Sequence, residues 1–242
     1  MIQVQNLTKY YGDFLALDDL TFTIETGRIL GFLGPNGAGK STTMKILSCF
    51  MAPSAGNVLI NGMNVATDGM RIKKITGYLP ENPPLYFDMT VDEYLTYVAE
   101  LKGVQPDMIP ARLRYVKEQC GLMDRSKKLI STLSKGYKQR VGIAQSLVND
   151  PEVLILDEPT IGLDPKQISD IRTLIRSQAG TRTIILSTHI LSEVTLICDD
   201  ILIINKGKMY LNDALANVGG RDDLEQVFMK YTYNFEAPVT AE

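Results

Sequence analysis

The chain has 242 residues, 45% of them hydrophobic and 22% charged, with a formal net charge of −3. This is enough apolar material for one sizeable core, which excludes extended disorder, and the mildly acidic balance without a dense Lys/Arg block argues against nucleic acid as the main ligand. Cys49, Cys120 and Cys198 are odd in number and far apart, so neither a disulfide framework nor a zinc site is suggested and a reducing cytoplasm fits.

Short β-branched runs open the chain. IQV at 2–4, FTI at 22–24 and ILGFL at 29–33, punctuated by Gly12, Asp13, Gly27 and Arg28, predict strands. The third runs into a Gly-rich turn, after which the apolar spacing of KSTTMKIL predicts a helix from Gly39 to about Ser48, ended by Pro53 and Gly56. A strand over Asn57–Ile60 and a turn at Asn61 and Gly62 follow. From Thr90 to about Ser146 the pattern is mostly helical, with Thr90 as N-cap and Glu93 completing a capping box.

Beyond Pro151 the texture becomes VLIL, a helix over 166–178, TIIL, a helix over Leu191–Ile197, and ILII. Fully apolar runs separated by helices imply parallel strands covered on both faces. The expectation is therefore an α/β core with a helical insertion, a short helix over 222–231 and a frayed tail. One domain spans 1–230, with core segments at about 1–88 and 150–220, a helical subdomain at about 89–149, and a tail at 231–242. No basic n-region with an apolar stretch opens the chain, and nowhere do about 18 apolar residues run together. Any membrane role is expected to come through a partner.

The motif GPNGAGKST, Gly34–Thr42, fits G-x-x-x-x-G-K-[ST] and lies between a predicted strand and a predicted helix. Gly34, Gly37 and Gly39 are expected to let the backbone curl with positive φ, so that N–H groups from Asn36 through Ala38 to Thr42 approach phosphate oxygens. The helix N-terminus adds roughly half a positive charge. Lys40 neutralises β- and γ-phosphates, and the Ser41 hydroxyl can ligate Mg²⁺. The strand VLIL ends in Asp157 and Glu158, two carboxylates at the sheet edge where α/β proteins bind ligands. Asp157 suits Mg²⁺, and Glu158 suits polarising an attacking water. His189 ends TIILST one strand over, at the same edge.

With LSKGYKQR at 133–140 placed shortly before VLILDEPT, nearly the whole chain resembles the ABC ATPase family. Lys135 and Tyr137 depart from the commonest form of that signature, LSGGQ. The resemblance implies a phosphate-loop NTPase fold with a mainly parallel sheet, an antiparallel N-terminal β subdomain and a helical signature subdomain. It implies ATP and Mg²⁺ as ligands. It further implies that Ser134 and Gly136 touch the γ-phosphate of a nucleotide on an opposing subunit, that Asp164 lies at that interface, and that the working unit is a homodimer or pseudo-dimer.

Tyr11 resembles the aromatic that stacks on adenine, with Ala16 nearby. Glu81 stands where most relatives carry a metal-contacting Gln. His189 resembles the family's γ-phosphate switch histidine. The family's membrane subunits dock near the loop corresponding to NPPLYFDMT, 82–90, with Leu85, Tyr86 and Phe87 as the apolar contact candidates. The implied partner is an integral-membrane permease on a separate chain, holding this subunit at the inner face of the membrane. The wording YLPENPPLYFDMT resembles bacterial exporter ATPases, including multidrug and gliding-motility types. A soluble, non-transport ABC ATPase is the alternative; the coiled-coil insertions, zinc modules or fused second cassette usual in those proteins are not visible here.

Overall fold

The computed structural model describes residues 1–219 and 221–232. In chain order the first elements are β1 (Ile2–Tyr11), β2 (Phe14–Ile24), β3 (Ile29–Leu33), α1 (Lys40–Leu47), β4 (Ala55–Ile60), β5 (Met63–Asn64), α2 (Gly69–Ile75) and β6 (Thr76–Leu79). The helical segment holds α3 (Val91–Leu101), α4 (Ile109–Cys120) and α5 (Lys135–Leu147). The chain then runs through β7 (Val153–Asp157), α6 (Pro165–Ser177), β8 (Thr183–Thr188), α7 (Leu191–Ile197), β9 (Asp200–Asn205), β10 (Lys208–Ala214) and α8 (Arg221–Thr232).

Two sheets result. Antiparallel pairing gives a four-stranded sheet in the order β2-β1-β4-β5. The second sheet has the order β10-β9-β3-β8-β7-β6, parallel from β9 to β6, with β10 added antiparallel at one edge. Every residue of β3, β7 and β8 is buried, as strands covered on both faces must be. The strand period of two divides their side chains between two cores. Ile155, Ile185 and Leu202 join Phe22, Phe32 and Met44 beneath the antiparallel sheet and α1. Leu154, Leu156, Ile184 and Ile203 join the helical segment on the other side.

The start of α3 is the capping box its sequence foretells. Thr90 Oγ1 accepts from Glu93 N at 3.2 Å, and the Glu93 carboxylate accepts from Thr90 N at 2.8 Å. Four elements escape sequence reading, among them the two-residue β5. In α2 only Ile72 is buried, so no apolar periodicity marks it, β6 is a four-residue run containing Gly77, and β10 is a partly exposed edge strand with no buried residue. At the C-terminus α8 includes Tyr231 and Thr232, so the helix runs past the expected tail boundary at 230. The rest of that tail, 233–242, lies outside the described residues. Among the described residues no helix is long and apolar enough to cross a membrane.

Candidate active site

The loop between β3 and α1 is held from several directions. Ala38 N donates to Pro35 O at 3.2 Å, and Ala38 O accepts from Gly207 N at 2.9 Å. Gly37 and Gly39 adopt φ of 79° and 109°, conformations that glycine takes without steric cost. Gly34 corrects the expectation made for it: it does not share their positive φ, and its glycine is required by a close approach instead. A Cβ there would lie 2.3 Å from the carbonyl oxygen of Ile204 on β9. Gly39 is the N-cap of α1 and carries no side chain to cap it, so the first-turn N–H groups remain for an anion.

Three charged side chains meet at the ends of β7 and β8. Asp157 is 2% exposed, and its Oδ1 accepts from Ser41 Oγ at 3.2 Å and from the hydroxyl of Ser187. Glu158, 5% exposed, has φ of 50°, a left-handed conformation that costs about 1–3 kcal/mol in a non-glycine residue and concentrates at functional sites. Its amide donates to both Ser187 O (3.1 Å) and Ser187 Oγ (3.2 Å). Its carboxylate lies 3.4 Å from Lys40 Nζ and 2.9–3.0 Å from His189 Nδ1. The latter contact is a hydrogen bond when the histidine proton sits on Nδ1. Lys40 also donates to Gly34 O at 2.8 Å and Pro35 O at 3.2 Å.

These groups open onto one cavity of about 520 Å³, within the size range of small-molecule sites. Its lining combines Tyr11, Phe14 and Ala16 with the cradle residues Asn36, Gly37, Gly39, Lys40, Ser41 and Thr42 and with Glu81, Glu158, Ile161 and His189. The Tyr11 hydroxyl is tied to Met51 Sδ at 3.2 Å and to Thr42 Oγ1 at 3.5 Å, which fixes its ring beside the cradle. Gly34 and Ala38 shape the loop without lining the cavity, and Asp157 sits beneath it. Phe14, Ile161 and Ser187 escape sequence reading; the signals present are an aromatic three residues after Tyr11 and a serine that follows the apolar run IIL near the end of β8.

Ser134, Gly136 and Asp164 do not line this cavity. Ser134 caps α5 through Tyr137 N, and Asp164 caps α6 through Gln167 N at 2.9 Å. A Cβ on Gly136 would lie 2.6 Å from the Gln167 side chain, so the starts of α5 and α6 pack together as a second locus.

The Ser41 hydroxyl and the carboxylates of Asp157 and Glu81 are hard oxygen donors, the set that Mg²⁺ takes. Among the described residues no group of three His, Cys, Asp or Glu side chains could hold a metal by itself. These three oxygen donors would leave the remaining positions around a Mg²⁺ to phosphate oxygens and water.

Residues 17–161 match the ABC transporter family. A bacitracin transport ATP-binding protein of Bacillus licheniformis is 41% identical over 211 residues, covering 86% of this chain and 68% of that one. A lantibiotic transport ATP-binding protein of Streptococcus pyogenes is 39% identical over 229 residues, covering 94% and 96%. The structure of cbiO1 from Clostridium perfringens, part of the ABC transporter complex cbiONQ, has a TM-score of 0.83 at 30% identity, over 95% of this chain and 94% of that chain.

Proposed function

The chain belongs to the ABC transporter family as an ATP-hydrolysing subunit, and from that premise we propose that it powers an exporter whose permease is a separate polypeptide, working as an ATP-closed dimer. One observation carries the reading: Lys40, Ser41, Asp157, Glu158 and His189 converge on the mouth of a glycine cradle at the ends of parallel strands. The relatives named for bacitracin and lantibiotic transport support a transport role.

The adenine stacks on Tyr11 near Ala16, and the phosphates run over the N–H groups of Asn36 to Thr42. Phosphate oxygens are stronger acceptors than the Gly34 and Pro35 carbonyls and draw the Lys40 ammonium to the β- and γ-phosphates. Ser41, Asp157 and Glu81 would hold Mg²⁺, which supplies charge neutralisation on the phosphates. Glu158 accepts the proton of the water that attacks the γ-phosphorus, and His189, hydrogen-bonded to that carboxylate, holds it in place beside the γ-phosphate. Ser134 and Gly136 at the start of α5, with Asp164 at the start of α6, complete the site of an opposing subunit. Losing the γ-phosphate removes those contacts and reopens the dimer.

Toward the membrane partner, Tyr86 and Phe87 are about half exposed, and Tyr86 is braced on the rings of Tyr94 and Tyr97 at 5.9 and 5.4 Å. Leu85 is buried and belongs to the core, which removes it from the expected contact surface. Through this face the subunit sits at the inner side of the membrane.

The testing variant is Glu158→Gln, which keeps the shape and removes the base. ATP should convert it to a stable dimer on gel filtration, while phosphate release falls by about 10²-fold or more. A variant that stays monomeric with ATP and hydrolyses at the wild-type rate overturns the mechanism.

A further inference from the structure

Each of the two loci carries a charged side chain without a partner. Glu81, just past the end of β6, lines the nucleotide cavity and is exposed. Lys135, the first residue of α5, stands exposed between Ser134 and Gly136. Among the described residues neither makes a hydrogen bond or an ion pair. Their neighbours are already matched. In the cavity Glu158 meets Lys40 and His189, and Asp157 beneath it accepts from Ser41 and Ser187. Farther along α5, Arg140 pairs with Asp170 at 2.8 Å, and Lys138 lies over the Phe87 ring at 5.3 Å.

The position of the Lys135 ammonium is defined by what lies beneath it. A Cβ on Gly162 would collide with Lys135 Nζ, so the ammonium rests in the space that this glycine leaves open. Gly162 belongs to the loop from Glu158 to Asp164, whose Ile161 lines the cavity. Lys135 thus stands on the face formed by the starts of α5 and α6, which the proposed dimer turns toward the opposing cavity. Closing two copies removes both charges from water. A charge so buried without a partner opposes closure, and an opposite charge delivered by the other copy offsets that cost. The phosphates of a bound nucleotide add negative charge beside Glu81 and strengthen its demand for a cation.

Both positions are departures from the commonest family form, Glu81 for Gln and Lys135 for Gly, and the two departures carry opposite charge. We propose that Lys135 of each copy forms an ion pair with Glu81 of the opposing copy in the ATP-closed dimer, so that the two departures act as a matched pair that positions Glu81 and helps hold the dimer shut. A carboxylate has two oxygens, and the pair leaves one of them for the cation. Against a cassette with neutral Gln and Gly at these positions, both charges would be buried unpaired, so the contact selects a second copy of this chain as the partner. The inference rests on the dimer reading and adds to it the chemistry by which the copies recognise each other.

The experiment uses the full chain carrying Glu158→Gln, which ATP should hold as a dimer. Carbodiimide joins an amine to a carboxylate only where the two touch, and mixing isotope-labelled with unlabelled chains tells a cross-link between copies from one within a copy. With ATP and Mg²⁺, mass spectrometry should find Lys135 of one copy joined to Glu81 of the other; without nucleotide that product should be absent. The dissociation constant of the ATP-bound dimer, from sedimentation, supplies a second readout. Lys135→Gln should weaken the dimer by about tenfold or more when Glu81 is present, as loss of one partner of a desolvated charge pair does. Combined with Glu81→Gln, the same change should cost less than about twofold, because the pair is already gone. Lys135→Arg keeps the charge and should keep most of the affinity. ATP binding by the Lys135→Gln monomer should match that of its parent, since Lys135 does not line the cavity of its own chain. If the dimer forms but Lys135→Gln changes its affinity equally in both backgrounds, or Lys135 cross-links only within its own chain or to another carboxylate, the pair is overturned while the dimer reading stands. If ATP yields no dimer with Lys135 and Glu81 both intact, both fall.

Discussion

Ser187 shows how one buried hydroxyl can serve two acids. Fully buried, it donates to Asp157 Oδ1 and accepts from the amide of Glu158, so it both aims the carboxylate proposed to bind the cation and steadies the left-handed backbone that presents the proposed base. Ser187→Ala leaves Asp157 with Ser41 alone and leaves Glu158 N with the Ser187 carbonyl. Stability should fall by about 1–2 kcal/mol, the cost of one buried bond lost, and the Mg²⁺ concentration giving half-maximal ATP hydrolysis should rise severalfold. Ser187→Thr, which restores a hydroxyl, should recover much of the Mg²⁺ response. An unchanged Mg²⁺ titration in the alanine variant would assign Ser187 to packing alone. Lys40, Asp157 and Glu158 are legible in the sequence as candidates because each sits in a local run, GPNGAGKST or VLILDE, that marks it out. Ser187 and the true reason for Gly34 are not. The first depends on β8 lying in register with β7, which sets Ser187 opposite Asp157, and the second on the carbonyl of Ile204, 170 positions away in the chain.

Among the elements, α3 is the one whose beginning the sequence states outright, since T-x-x-E names both hydrogen bonds of its cap. That cap also anchors the connection behind it: Val91 N donates to Lys128 O and Asp92 N to Ser126 O, tying the first turn of α3 to the segment that leads into the signature region. Thr90→Ala should cost about 1 kcal/mol in denaturant unfolding and speed amide exchange in the first turn of α3 before it affects the sheets. The backbone N–H and hydroxyl of Thr90 hold the Glu93 carboxyl below its ordinary range. For a depressed carboxylate the contribution is fully present above the unfolded value and is lost as pH falls through the folded one. The gap between wild type and Thr90→Ala should therefore narrow on acidification through the carboxylate range. By contrast α2, β6 and β10 carry no such local signal. They are set by what lies beside them, β6 by pairing with β7 and β10 by closing onto β9, and a sequence read one window at a time contains neither partner.

At the scale of the whole molecule, the separation of the two loci bears on the proposed dimer. The cradle with Lys40 and Glu158 is one surface, and the start of α5 with Ser134 and Gly136 is another that does not line the same cavity. In the proposed dimer a symmetric pair would bring the cradle of each copy to the α5 start of the other, so each of two sites would be assembled from both chains. Lys40→Ala disables a cradle, whereas Ser134→Arg, placed on an exposed cap, disables only what is offered to the neighbour. Either variant alone damages both sites of its dimer. Mixed together they form some dimers in which one site carries both defects and the other carries neither. Phosphate release by the mixture should therefore exceed that of either variant, approaching about a quarter of wild type when pairing is random and sites act independently. If the two loci served a single chain, every molecule in the mixture would carry a defective site and no activity would return. Titrating one variant into the other at saturating ATP, and reading phosphate release against the ratio, distinguishes the bell-shaped recovery expected of a shared site from the flat line of a self-contained one.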